Sequence, residues 1–336
     1  IILIINPKIR IMKKLNLFYL LLFVFGLTAC SDDDKDDVPY IPKTIAEQKK
    51  TLSETAWITT DIRDEKGQKV DPKTNPAANV YVGYAYYKTN DEFRIVDLNN
   101  GHKMFGLWDL VAKDNKTYRS LTAYKSDNTV AFKRDVEVLT LTNRMFTYRI
   151  NYDNSDNTKY FDVDHVPTKY AEPKLPAQIL AETEWKTTNV YNITAYYSGD
   201  VGSTANNNPV NPSLVYESKV EAANLEPMDN TQAPASGYAG DAFYSYKASD
   251  SYFPKVGDNY VNGTFKITEY NALDKVRSFG DWYVSLDAKT RTLYAKNAEG
   301  AIAWSRVVSI HELSPDKFTY DIVHGDVVLR VEHVKK

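Results

Sequence analysis

The sequence predicts an all-β protein of two tandem up-and-down eight-stranded barrels, each preceded by a short helix, with β-sandwiches as the alternative. Three observations carry this. The stretch Leu52-Ser-Glu-Thr-Ala-Trp57-Ile-Thr-Thr60 returns as Leu180-Ala-Glu-Thr-Glu-Trp185-Lys-Thr-Thr188, and collinear matches continue to the C-terminus. The first copy divides into eight short runs rich in β-branched and aromatic residues, joined by turn-forming clusters. Tyrosine occurs 25 times and aromatics make up 13%, a composition suited to half-buried strands rather than long helices.

At the N-terminus, Lys13 and Lys14 precede an apolar run from Leu17 to Leu27. As a helix that run would span roughly 17 Å against a hydrocarbon core of about 30 Å, too short to cross a membrane. Residues 1–29 read as a secretory signal peptide, with Met12 as the natural start. Cys30 is the only cysteine, so no intramolecular disulfide can form. The following Ser31-Asp-Asp-Asp-Lys-Asp-Asp37 opens a solvated tether over residues 30–43. A calcium site is the alternative there, but the run lacks the turn glycine and distal glutamate of an EF-hand loop.

Thr44-x-x-Glu47 is a capping box and starts a helix over IAEQKKTL. Strands are expected at 57–62, 79–88, 92–98, 103–111, 117–124, 129–139, 145–152 and 159–166, within a first domain of residues 44–170. Residues 171–175 form a proline-containing linker. The second domain covers 176–336, and Pro176 stands at the first position of its helix. The repeat pairs Phe105-Gly-Leu-Trp108 with Phe279-Gly-Asp-Trp282, Tyr87 with Tyr244, Arg134 with Arg306, Phe146-Thr-Tyr148 with Phe318-Thr-Tyr320, and His165 with His333. The second copy carries two extra stretches, 189–236 and 245–263, rich in Asn, Gly, Pro and Ser; these are expected as long loops at one barrel end. Their aromatics, Tyr191, Tyr196, Tyr197 and Tyr216 in one and Tyr246, Tyr252, Phe253 and Tyr260 in the other, could face a ligand or lie over the barrel mouth.

Tests for chemistry find little. No G-x-S-x-G, dinucleotide or phosphate-loop motif occurs, and His311-Glu312 is followed by Pro315 where a zinc protease needs its second histidine. Asp153-Asn-Ser-Asp-Asn-Thr158 has threonine in place of a calcium loop's glycine and reads as a hairpin turn. The formal net charge of −3 gives no global positive field for nucleic acid. His165 and His333 follow Asp164 and Glu332, but neighbours on a strand point to opposite faces, so those acids cannot orient them. Each histidine shares its face with valine, which favours a hydrogen-bonded core role over a polar group inside a ligand cavity. Trp108 and Trp282 are core or ligand wall. Together with Tyr148 and Tyr320, these six residues are the candidate ligand contacts. No catalytic residue, metal or cofactor is assigned.

Leu27-Thr28-Ala29-Cys30 resembles the lipobox of bacterial lipoproteins. The resemblance implies lipidation of Cys30, which becomes the mature N-terminus. At about 0.8 kcal/mol per buried CH₂, several acyl chains would anchor the chain permanently. The acidic run after Cys30 is similar to the export signal of Bacteroidetes surface lipoproteins, which implies the outer face of the outer membrane. A tryptophan opening the first of eight strands makes each domain resemble a lipocalin or calycin-type barrel, of the sort found in Bacteroidetes domains of unknown function. That resemblance implies that Trp57 and Trp185 pack against Arg134 and Arg306 near the closed end. The expected function is a non-enzymatic, surface-anchored lipoprotein holding a small apolar or glycan-like ligand. A structural or adhesive surface module and a hydrolase acting on extracellular substrates are the alternatives.

Overall fold

A computed structural model describes residues 39–153, 155–196, 220 and 223–336. The leader, Cys30, most of the tether, Tyr197 and Tyr216 lie outside the described residues. Residues 1–40 and 41–336 form separate units, and both barrels belong to the second.

The first barrel consists of β1 (Ala56–Arg63), β2 (Tyr84–Tyr87), β3 (Glu92–Val96), β4 (His102–Lys113), β5 (Lys116–Tyr124), β6 (Val130–Leu141), β7 (Phe146–Asn151) and β8 (Tyr160–Thr168). Each strand pairs antiparallel with the next, and β8 returns to β1 through Trp57↔Pro167 and Ile58↔Val166. Closure leaves no sheet edge, so the barrel reading holds and the sandwich alternative falls.

Helix α1 (Ile45–Ser53) forms as its capping box requires. Thr44 Oγ1 accepts from the Glu47 amide at 3.2 Å, and Glu47 Oε2 accepts from the Thr44 amide at 2.9 Å. The helix packs on β2 and β4 and closes one barrel end. There Trp57 is fully buried, and its indole N–H donates to the Leu52 carbonyl at 3.0 Å. The repeated L-x-E-T-x-W motif is therefore a helix-to-strand corner in which the leucine carbonyl receives the indole proton five residues on.

The strand expected over 79–88 is shorter than the sequence suggests. Pro76–Asn79 is a helical turn, α2, capped by the Asn75 side chain, and β2 begins only at Tyr84. The ammonium of Lys103 explains the interruption: it donates to the carbonyls of Asn79 and Val82 at 2.9 and 2.7 Å, groups a continuous strand would spend on its ladder.

Helix α3 (Pro176–Ala181) opens the second barrel. Its strands are β9 (Glu184–Asn192) and β10 (Asp241–Tyr246), then, after a two-stranded ribbon of β11 (Lys255–Val256) and β12 (Asn259–Tyr260), β13 (Gly263–Glu269), β14 (Ala272–Val284), β15 (Thr290–Lys296), β16 (Ile302–Leu313), β17 (Lys317–His324) and β18 (Val327–Lys335). β18 closes on β9. The corner recurs, with Trp185 Nε1 donating to the Leu180 carbonyl at 2.8 Å.

Both inserted stretches differ from expectation. Residues 189–192 are strand rather than loop, because Asn189–Asn192 pair with β18 and bury Val190. The 245–263 stretch does not cover the mouth of its own barrel; it reaches the first barrel. Phe105, Tyr252 and Leu286 form a buried cluster with Tyr124, Leu175 and Phe253 around it. Lys88 Nζ donates to the Asp250 carbonyl at 2.8 Å and lies 4.1 Å from the Tyr252 ring centre. The linker is tied down as well, since the buried Arg94 donates to Glu172 Oε1 at 2.9 Å and to the Pro173 carbonyl at 3.0 Å.

Candidate functional site

The end of the first barrel opposite α1 holds a cavity of about 320 Å³. The strand order produces it. β1, β4, β6 and β7 supply Thr59, Met104, Arg134 and Ile150 from their mouth halves, while the α2–β2 crossover supplies Val80 and Tyr81 as rim. Ile95, Met104, Leu121, Phe132 and Ile150 make its wall mostly apolar. Arg119, Tyr148, His165 and Thr59 bring polar atoms to it.

Tyr148 and His165 are thus side by side in the lining. Their rings stack at 5.2 Å, and His165 Nε2 lies 3.1 Å from Thr59 Oγ1. Burial, with the Arg119 charge adding to it, pushes the His165 pKa down to about 3, so the imidazole is neutral at ordinary pH. Burial likewise raises the Tyr148 phenol well above its usual range. Trp108 lies outside the lining, with its N–H on the Lys88 carbonyl at 3.2 Å and its ring 4.9 Å from Tyr87, under α1.

In the second barrel, Tyr320 and His333 repeat the stack at 5.4 Å, and His333 Nδ1 sits 3.1 Å from the Phe318 carbonyl. Burial, helped by Arg291, lowers the His333 pKa to about 3. Trp282 donates to the Ser245 carbonyl at 3.0 Å. The mouth residues there meet each other. Tyr238, which corresponds to Tyr81, places its hydroxyl 2.7 Å from His324 Nδ1 and lies under the Arg306 guanidinium. Arg277, which corresponds to Lys103, donates to the carbonyls of Ser236 and Ala239.

The expected pairing of Trp57 with Arg134, and of Trp185 with Arg306, is not what forms. Arg134 lies on the mouth half of β6 over Phe132 at 6.0 Å, and Arg306 lies over Trp304 and Tyr238, whereas both tryptophans sit under helices at the other end. The arginine inside each barrel is one that sequence reasoning missed. Arg119 is 3% exposed, donates to the Tyr87 hydroxyl, and lies 4.2 Å from the Tyr148 ring centre and 5.4 Å from that of Phe146. Arg291 makes the same cage from Tyr244, Phe318 and Tyr320. The signal was available: Arg119-x-Leu121 and Arg291-x-Leu293 keep the same spacing to Phe146 and Phe318.

Other sequence features take structural roles. Asp153 and Asp156 accept from the backbone and hydroxyls of Ser155 and Thr158, which closes their hairpin turn. His311 lies on β16, 3.3 Å from Arg330. Among the described residues no three His, Cys, Asp or Glu side chains converge as a metal-binding group. No curated protein matches the chain. Residues 49–175, which contain the whole first barrel and its cavity, match the family model described as Domain of unknown function (DUF4822).

Proposed function

We propose that this chain is a non-enzymatic lipoprotein, anchored through Cys30 and exposed on the outer membrane surface, whose first barrel binds one small, largely apolar molecule. The cavity carries the ligand part of this reading. Its volume of about 320 Å³ falls at the lower end of the roughly 300–1,000 Å³ of small-molecule sites. A few polar groups converge on one side of an apolar wall, as such sites require. An apolar ligand fits that wall better than a glycan, whose many hydroxyls would each need a partner that Ile95, Leu121 and Ile150 cannot give. The anchor part rests on the lipobox resemblance and the acidic run.

Titrating the full chain with N-phenyl-1-naphthylamine, a neutral apolar fluorophore, tests the ligand reading. A saturable fluorescence rise is expected, abolished by Met104→Trp, which fills the cavity, and retained by Leu107→Trp on the outer face of the same strand. Absence of saturable binding to the unaltered chain would refute it.

A further inference from the structure

The cavity ends on a charge that the protein itself does not neutralise. Among the described residues two buried arginines sit beside carboxylates: Arg330 is held by Asp321 through two bonds of 2.8 and 2.9 Å, and Arg94 by Glu172. Arg291 and Arg119 have aromatic cages instead, and of these two the one that lines the cavity is Arg119. Its polar neighbours are the phenols of Tyr87 and Tyr148, both kept neutral by burial, and its Nε has no hydrogen-bond partner among the described residues. No aspartate or glutamate lines the cavity, while Lys103, Arg119 and Arg134 do.

A desolvated guanidinium with an unused N–H is compensated only in part by ring faces. Facing a mostly apolar void with no carboxylate in its lining, it calls for an anion with a planar, two-oxygen head, the group whose geometry matches the guanidinium fork. We infer that the cavity of the first barrel takes a small amphiphile with a single carboxylate, its head on Arg119 and its apolar body along Met104, Leu121 and Ile150. Of the three lining cations Arg119 alone is fully buried, while Arg134 is partly exposed and Lys103 donates to the Asn79 and Val82 carbonyls, so the buried end of the cavity matches one negative charge. At about 30 Å³ per water-sized unit, 320 Å³ accommodates a body of roughly ten such units, the size of a medium-chain acid. The same cage around Arg291 has no such outlet at its mouth residues, where Tyr238 is committed to His324 and Arg306 lies over Tyr238 and Trp304. The carboxylate site therefore belongs to the first barrel. This inference rests on the ligand reading of the cavity and adds the charge of its occupant.

Calorimetric titration of the full chain at pH 7.5 with octanoate and, separately, with 1-octanol distinguishes the two claims. Octanoate is expected to bind more tightly than octanol by about 10- to 100-fold, the effect of one buried charge-assisted contact. In Arg119→Gln that preference should fall to within about twofold with octanol still bound, and Arg291→Gln should keep it. Equal affinity of the two probes for the unaltered chain would overturn the carboxylate inference and leave the apolar cavity standing. Binding of neither would overturn both. If Arg119→Gln does not fold, Arg119→Lys, which keeps the charge and loses the fork, should still prefer octanoate but less strongly; an undiminished preference would overturn the assignment to Arg119.

Discussion

Glu92 of the first barrel accepts two hydrogen bonds from the second, one from the backbone N–H of Tyr252 and one from the hydroxyl of Ser251. The carboxylate is 6% exposed, and the Tyr252 and Phe253 rings that follow cover Phe105. This contact turns an apparent mouth loop into a clamp between barrels. Glu92→Ala would leave two donors without their acceptor, at about 1–3 kcal/mol each where they stay buried. Separate thermal transitions for the two barrels and new tryptic cleavage at Lys247 and Lys255 are expected. Unchanged calorimetry and protease resistance would show that the apolar cluster alone holds the contact.

The F-G-x-W runs have a different demand. Gly106 and Gly280 lie on inward positions of β4 and β14, where a neighbouring strand passes close. A Cβ on Gly106 would stand 1.9 Å from the Thr122 carbonyl oxygen, and one on Gly280 would stand 2.0 Å from that of Tyr294. Backbone cannot retreat as a flexible side chain can. Each Gly→Ala change is therefore expected to destabilise its barrel by about 1–3 kcal/mol or more, read as a lower urea midpoint. A midpoint unchanged within error would mean that the strands part at low cost.

Stability should fall with acid before the carboxylates titrate. His165 and His333 stay neutral in the folded protein down to about pH 3, whereas an unperturbed histidine takes up its proton near 6.5. Between these values the unfolded chain binds more protons, so the contribution is full above about pH 6.5 and is lost progressively as pH falls toward 3. The slope is up to about 1.4 kcal/mol per pH unit for each histidine. Urea midpoints measured from pH 7.5 to 5 should therefore decline, and His165→Gln should reduce the slope by about a third, because burial also holds the His102 pKa down to about 4 and adds a third such group. A flat profile in the unaltered chain would refute neutral burial of the pair.

The repeat made much of the fold legible, because a Trp corner and eight hairpin-linked strands are local patterns. It could not separate what is equal in sequence and unequal in surroundings. Phe105 and Phe279 occupy the same motif, yet one is 1% exposed and the other 45%, because the 249–253 segment covers only the first. The same holds for the candidate site. Tyr148 and Tyr320 carry identical local signals, but the void appears where side chains from several strands fail to meet, a property of volumes rather than of spacing. Arg119 escaped notice because a lone arginine on a strand normally points to water, and only barrel closure turns it inward.

Membrane attachment gives a test independent of the barrels. If Cys30 carries the lipid, Cys30→Ala should move the protein from the membrane fraction to the soluble one without changing its urea midpoint, since neither barrel contains that residue. Metabolic labelling with a fatty-acid analogue should mark the unaltered chain and leave the variant unmarked. The acidic run is expected to act after attachment, so replacing Asp32, Asp33, Asp34, Asp36 and Asp37 with Asn should keep the lipid and lose surface display. In that variant, protease added to intact cells would no longer cut the protein, although lysis would expose it. Equal cleavage of both forms on intact cells would leave the acids as a solvated spacer alone, and retention of Cys30→Ala in the membrane fraction would remove the lipid anchor from the account.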